Sequence, residues 1–142
     1  MKILLTGATG FLGKHCFNEF TNLNYEVDTL GRSEKSTYKF NITQKIPQIL
    51  KYYDIVIHVA GKAHEIPKTE IEKKRFYDVN LKGTQNLLES LKKKPKYFVF
   101  ISSVSVYGLD FGDNISENTP LSAVDPYGKS KILAEAEVIN WG

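Results

Sequence analysis

The chain has 142 residues, 42% of them hydrophobic and 25% charged, which suits one globular domain that buries roughly two thirds of its unfolded surface. Nineteen basic against sixteen acidic residues give a formal charge of +3, too balanced to argue for nucleic acid or an anionic membrane. A single cysteine, Cys16, excludes an internal disulfide framework and a Cys-based zinc cluster.

No apolar run approaches membrane-spanning length, and the start Met1–Leu5 turns glycine-rich at Gly7, too early for a secretory signal. A soluble, cytoplasmic domain is expected.

Strand-like and helix-like segments alternate along the chain. Ile3-Leu4-Leu5 reads as a short buried strand closed by Gly7. Helical periodicity over 11–23 places Leu12, Cys16, Phe20 and Leu23 on one face, with His15 and Cys16 read as packing residues. Residues 25–30 read as a second strand ended by Gly31, and 38–42 as a short third one. A weak helix is expected over 46–52, broken early by Pro47, before the β-branched strand 54–60.

A long helix is expected from about Lys68 to Lys94, with Phe76, Val79, Gly83, Leu87 and Leu91 on one stripe. Lys92-Lys93-Lys94 then face the negative end of its dipole. Residues 97–102 form another buried strand, and a Gly/Asp/Asn/Pro-rich loop runs from Gly108 to Asp125. A last helix opens at Asp125-Pro126, a good N-cap followed by proline, with Ile132, Ala136 and Ile139 marking its buried face.

This alternation argues for an α/β domain with a doubly wound parallel sheet, without internal repeat or linker. Right-handed crossovers bring the carboxyl ends of all strands to one edge, where ligands bind.

Gly7, Gly10 and Gly13 are spaced GxxGxxG between the first strand and the first helix. In that context the glycines allow a tight turn, close backbone approach to a pyrophosphate, and close packing of helix on strand. The helix N-terminus at Phe11, Leu12 and Gly13 then offers free N–H groups to phosphates. A P-loop is excluded, because Ala8 and His15 stand where it needs glycine and a hydroxyl residue. A dinucleotide, NAD or NADP, is the expected cofactor. The second strand ends without a carboxylate at Gly31-Arg32-Ser33, and Asp28 lies inside the strand. Arg32 with Ser33 suits a 2′-phosphate, a lean to NADP over NAD.

Tyr127 and Lys131 stand four apart in the first turns of the last helix, on one face. A tyrosine is a poor base at neutral pH, but a nearby ammonium favours its phenolate enough to make it a general acid/base. Ser102, Ser103 and Ser105 leave the preceding strand at the same sheet edge, where one of them can hold a substrate oxygen. Lys62 and His64 follow the fourth strand at that edge and are read as solvated loop residues. No His/Asp/Glu cluster has metal-ligand spacing.

The combination TGATGFLG, HVAGKAH, VNLKGTQNLLES, ISSVSVYG and DPYGKSK resembles the extended short-chain dehydrogenase/reductase family, nearest its nucleotide-sugar epimerase/dehydratase branch, over nearly all 142 residues. The resemblance implies a Rossmann fold with Gly7, Gly10 and Gly13 in the cofactor loop and Tyr127 and Lys131 as the YxxxK pair. It further implies Ser103 as the catalytic serine, and Ala60 and Gly61 of His58-Val59-Ala60-Gly61 beside the cofactor ribose and nicotinamide. Asn80 matches the asparagine of the long helix, and Asn41 stands where the family often places an aspartate at the adenine.

The implied reaction is hydride transfer at a sugar carbon. Tyr127 moves the hydroxyl proton, Lys131 favours its phenolate and holds the nicotinamide ribose, and Ser103 orients the oxygen. Val104 and Ser105 stand where a dehydratase needs acids, so epimerisation or simple reduction is expected over dehydration. The partner is a nucleotide-sugar or related small molecule, with homodimerisation open. The rival is a non-catalytic dinucleotide-binding module of the same fold. Because the resemblance includes a substrate-binding part beyond the Tyr–Lys helix, residues 1–142 are expected to be the cofactor-binding, N-terminal part of a longer enzyme, with low activity alone.

Overall fold

A computed structural model describes residues 1–142. Five strands, β1 (Lys2–Thr6), β2 (Glu26–Gly31), β3 (Tyr38–Lys39), β4 (Ile55–His58) and β5 (Tyr97–Phe100), form one parallel sheet in the order β3-β2-β1-β4-β5. The chain winds outward from β1 to β3, then crosses back to β4 on the other side of β1. The order therefore reverses between β1 and β4, and the crevice beyond their carboxyl ends is the ligand position of such a sheet.

The core has two layers. On one face Ile3, Leu5 and Ile57 pack beneath α1 (Phe11–Asn22) through Cys16, Phe17 and Phe20. On the other, Leu4, Leu30, Val56 and Leu87 form the larger cluster with Ile46, Ile49, Tyr53 and Leu91. Then follow α2 (Glu70–Phe76), a π-helical stretch (Tyr77–Lys82), α3 (Gly83–Ser90) and α4 (Pro126–Trp141); Leu87 of α3 and Trp141 of α4 pack on this cluster, while α2 and the π-helical stretch pack against α4. Thr69 and Glu72 form a capping box that starts α2, each satisfying the other's backbone N–H.

Several expectations are corrected. Residues 46–52 are not helical. Ile46 before Pro47 is a poor N-cap, and the short run has no adjoining helix to share its nucleation cost. The segment instead runs extended, bridges Leu91 through Ile49, and drives Ile46 and Ile49 into the core. The long helix ends at Ser90, so Lys92-Lys93-Lys94 lie beyond its last turn.

On α1, Leu12 and Leu23 are exposed and the packed side is Gly13, Cys16, Phe17 and Phe20; His15 is also exposed, its ring edge against Phe11. On α4, Ala136 and Ile139 are exposed and Ile132 half-buried, while Gly128, Ser130, Lys131 and Ala134 face inward. The helix is apolar on several sides, so hydrophobic spacing alone did not select the buried one. The strand β5 is an edge strand whose Tyr97 and Val99 are exposed, rather than a buried one.

Asp28 has a structural partner set. Its carboxylate accepts from the buried Tyr53 hydroxyl at 2.6 Å and from the Lys51 ammonium. Burial alone raises such a carboxyl, but the hydrogen bonds from Lys51 and Tyr53 outweigh it and hold Asp28 below its ordinary range.

Candidate active site

The glycine loop is built by backbone contacts that admit no side chain. Gly7 has φ +72°, and a Cβ there would lie 2.7 Å from the Ala60 nitrogen. A Cβ on Gly13 would lie 2.0 Å from the Gly7 carbonyl oxygen, so the first turn of α1 is pressed onto the loop. Gly10 differs: it is exposed, and its nearest contact is 3.3 Å away. α1 has no side-chain N-cap bond, so the N–H groups of Phe11, Leu12 and Gly13 have no intrahelical acceptor. A tight glycine turn leading into helix N–H groups without intrahelical acceptors fits a pyrophosphate.

Arg32 lies exposed past the end of β2, beside Ser33. Asn41 is half-buried, with its side-chain oxygen engaged by the Thr43 N–H at 3.1 Å and the Thr43 hydroxyl at 3.0 Å. The amide NH2 is the donor group of the Asn41 side chain.

At the switch point the elements converge. The Ala60 N–H donates to the Thr6 hydroxyl at 3.1 Å, tying the end of β4 to the end of β1. The Cβ position of Gly61 lies 3.3 Å from the Asn80 side-chain oxygen and 3.9 Å from Lys131 Nζ. The loop after β4, the π-helical stretch and α4 therefore meet at Gly61. Asn80 is buried there, and its side chain donates to Ser130 Oγ at 2.9 Å.

α4 starts as its sequence dictates: the Asp125 carboxylate accepts the Gly128 N–H at 3.0 Å and Pro126 occupies the first turn. Gly128 lets that turn approach the serine segment, since a Cβ there would lie 2.7 Å from the Ser105 carbonyl oxygen. Tyr127 is half-buried, its ring 6.1 Å from that of Phe76. Ser103 caps the 3-10 turn Val104–Tyr107, its oxygen accepting the Ser105 N–H at 3.2 Å and lying 3.1 Å from the Ser105 hydroxyl.

Lys131 is buried, donates to the Ile101 carbonyl at 2.5 Å and lies 4.2 Å from the centre of the Phe100 ring. Burial pushes its ammonium down to about 8, against the opposing pull of Glu135. It is therefore still charged at neutral pH.

Some contributors were not singled out from the sequence. Glu135 accepts from Ser102 and stands one turn from Lys131, a relationship its i, i+4 spacing carries. Lys62 is less solvated than expected: its ammonium lies 5.2 Å from the Phe76 ring centre and pairs with Glu65. His64 is exposed, with φ +61°. No helix is long and apolar enough to cross a membrane.

Comparison with known proteins agrees with this geometry. The family described as NAD dependent epimerase/dehydratase matches residues 3–142. The chain is 33% identical to the N-acetyl-alpha-D-glucosaminyl-diphospho-ditrans,octacis-undecaprenol 4-epimerase of Escherichia coli O157:H7, over 98% of this chain and 43% of that protein. Among solved structures, the UDP-glucose 4-epimerase of Bifidobacterium longum in complex with NAD+ and UDP superposes with TM-score 0.77 at 26% identity. That match covers 99% of this chain and 48% of the other. RMD from Pseudomonas aeruginosa, complexed with NADPH, superposes with TM-score 0.78 at 27% identity, covering 100% of this chain and 50% of the other. The chain spans just under half the length of the curated relatives it matches.

Proposed function

The chain belongs to the NAD dependent epimerase/dehydratase family, and we propose that residues 1–142 are the NAD(P)-binding domain of a nucleotide-sugar epimerase or oxidoreductase that transfers hydride at a sugar carbon. The observation that carries this reading is the convergence at Gly61, where the loop after β4 meets both Asn80 and the Lys131 ammonium. A dinucleotide seated on Gly7, Gly10 and the start of α1 would extend across the switch point toward that junction.

The dinucleotide, when bound, supplies the hydride acceptor. The chain's own residues supply the rest. The N–H groups of Phe11, Leu12 and Gly13 bind the pyrophosphate, and Ala60, Gly61 and Asn80 border the nicotinamide end. Tyr127 takes the proton from a sugar hydroxyl and returns it to the oxygen later. The Lys131 ammonium donates to the ribose. Ser103 holds the reacting oxygen, its hydroxyl turning from Ser105 to substrate. Epimerisation then needs the ketone to present its opposite face before hydride returns. Val104 and Ser105 offer no acid for dehydration.

The exposed Arg32 and the Ser33 hydroxyl support NADP over NAD, since a guanidinium fork matches a 2′-phosphate. The UDP seen in the Bifidobacterium relative and the diphospho-linked sugar of the Escherichia relative support a sugar diphosphate as substrate. The single free cysteine, Cys16, suits the cytoplasm.

The experiment is Tyr127→Phe. The single-turnover rate at which bound dinucleotide is reduced in the full-length protein on addition of UDP-sugars, followed by nicotinamide absorbance, is expected to fall by about three orders of magnitude with dinucleotide affinity unchanged. An unchanged rate would overturn the assignment, and tighter binding of NADH than NADPH would overturn the choice of NADP.

A further inference from the structure

His58 is completely enclosed at the end of β4 and takes no part in the chemistry above. Both of its ring nitrogens are nevertheless occupied. Nδ1 lies 2.7 Å from the Thr6 hydroxyl and Nε2 lies 3.0 Å from the Thr84 hydroxyl.

The surrounding bonds fix the direction of each contact. The Thr84 hydroxyl spends its one proton on the Asn80 carbonyl at 2.6 Å, so it can only accept from the imidazole. His58 therefore carries its proton on Nε2, and Nδ1 is the acceptor of the Thr6 hydroxyl. The Thr6 oxygen in turn accepts the Ala60 N–H at 3.1 Å. Burial, reinforced by the nearby Lys131 charge, drives the imidazolium down to about 3, so the ring is neutral at every physiological pH.

The line continues beyond Asn80. Its side-chain NH2 donates to Ser130 Oγ at 2.9 Å, and Ser130 donates to the Tyr127 carbonyl at 2.7 Å. Thr6 immediately precedes the glycine loop, and Ser130 stands between Tyr127 and Lys131. One buried run of hydrogen bonds thus joins the cofactor loop to the catalytic helix, with His58 as its only rigid ring.

We propose that His58 is a positioning residue, which as the neutral Nε2–H tautomer holds the Thr6–Gly7 and Ala60–Gly61 backbone in register with the Asn80 and Tyr127–Lys131 helices so that a dinucleotide can bridge them. This rests on the dinucleotide reading above. It adds that the register is carried by hydrogen bonding at the far side of the ring, away from any ligand. A hydrophobic residue of the same volume would fill the space without setting the register.

The test perturbs the line at Thr84, which touches the far nitrogen. Thr84→Val removes the acceptor of the Nε2–H at constant shape, and Thr84→Ser restores it. NADH affinity is measured by fluorescence at low temperature, with folding of each variant checked by circular dichroism. Thr84→Val is expected to bind NADH about ten-fold more weakly while folded, and Thr84→Ser to bind within about two-fold of wild type. A role confined to stability would lower the melting temperature of Thr84→Val and leave its affinity untouched, and that result overturns the proposal.

Should Thr84→Val not fold, long-range 15N NMR of the wild-type His58 ring decides. A neutral Nε2–H ring is expected, and an Nδ1–H or protonated ring overturns the proposal. Wild-type protein that binds no dinucleotide would remove the functional reading and the positioning role together. Wild-type protein that binds, alongside a folded Thr84→Val that binds equally, removes the positioning role alone.

Discussion

The Asn80 side chain clasps the backbone of Lys62 from both sides, its oxygen accepting the Lys62 N–H at 2.7 Å and its NH2 donating to the Lys62 carbonyl at 3.1 Å. A side-chain amide is the one common group that presents a donor and an acceptor side by side, as a neighbouring strand would. Here it replaces the ladder partner that the backbone loses after β4, and it does so from the middle of a π-helical stretch. Widened helical turns of this kind are frequent at functional sites.

Asn80→Leu keeps the volume and removes all three side-chain bonds, leaving the Lys62 N–H and the Ser130 hydroxyl without this partner. The expected loss in urea unfolding is about 2–3 kcal/mol. Equal stability of Asn80→Leu and wild type would show that the clasp contributes nothing.

The glycines of the loop separate fold from ligand binding. A methyl group on Gly13 would lie 2.0 Å from a backbone oxygen that cannot move without shifting α1, so Gly13→Ala is expected to destabilise the apo protein by more than about 2 kcal/mol. On Gly10 the nearest atom is 3.3 Å away and the site is exposed, so Gly10→Ala should melt within about 2 °C of wild type. If Gly10 is where the pyrophosphate approaches, that well-folded variant should still lose at least about ten-fold in NADH affinity. Calorimetry of both variants, with and without NADH, checks the contrast; full affinity in Gly10→Ala would move the phosphate elsewhere.

The parts legible in the sequence were those whose signal is local. The glycine spacing and the Asp125-Pro126 start are each read within a few residues, and each has its structural counterpart in the loop and α4; Tyr127 and Lys131 both lie on that helix. The His58 line was not legible, because Thr6 and Thr84 lie 52 and 26 residues away in sequence and each looks like an ordinary strand or helix residue. The buried side of α4 misled for another reason. Ile132, Ala136 and Ile139 have helical spacing, but the side turned inward carries Ser130 and Lys131, polar groups that the site itself satisfies. Residues 46–52 failed because a short apolar run does not distinguish a helix from an extended strap.

That strap has its own polar anchor. Lys51 and Tyr53 converge on the Asp28 carboxylate, and the Tyr53 hydroxyl also lies 3.0 Å from that of Tyr38. The hydrogen bond to Asp28, with a second to Glu26, pushes the Lys51 ammonium up to about 12. Tyr53→Phe deletes one hydrogen bond to a charged group at nearly constant volume and should cost about 1.5–3 kcal/mol. Urea titration at neutral pH checks this, and a change below about 0.5 kcal/mol would show that Lys51 alone satisfies Asp28.

The pH dependence of stability follows from the buried imidazole. His58 is held near 3 in the folded state, by burial first and by the Lys131 charge second, against about 6.5 in an unfolded chain. Between those values the unfolded chain binds a proton that the folded one refuses, so stability is intact above about pH 6.5 and falls as pH drops toward 3. The slope approaches about 1.4 kcal/mol per pH unit for one such group. Asp28, held below its usual range, adds its own loss only below about pH 4, so between about pH 6.5 and 4 the loss from His58 is read without it. Urea unfolding of wild type and His58→Gln between pH 7 and 4.5 tests the assignment. The wild-type free energy should fall steeply and the variant, with no imidazole to charge, should fall less by nearly the slope of one proton. Parallel slopes would place the titrating group elsewhere.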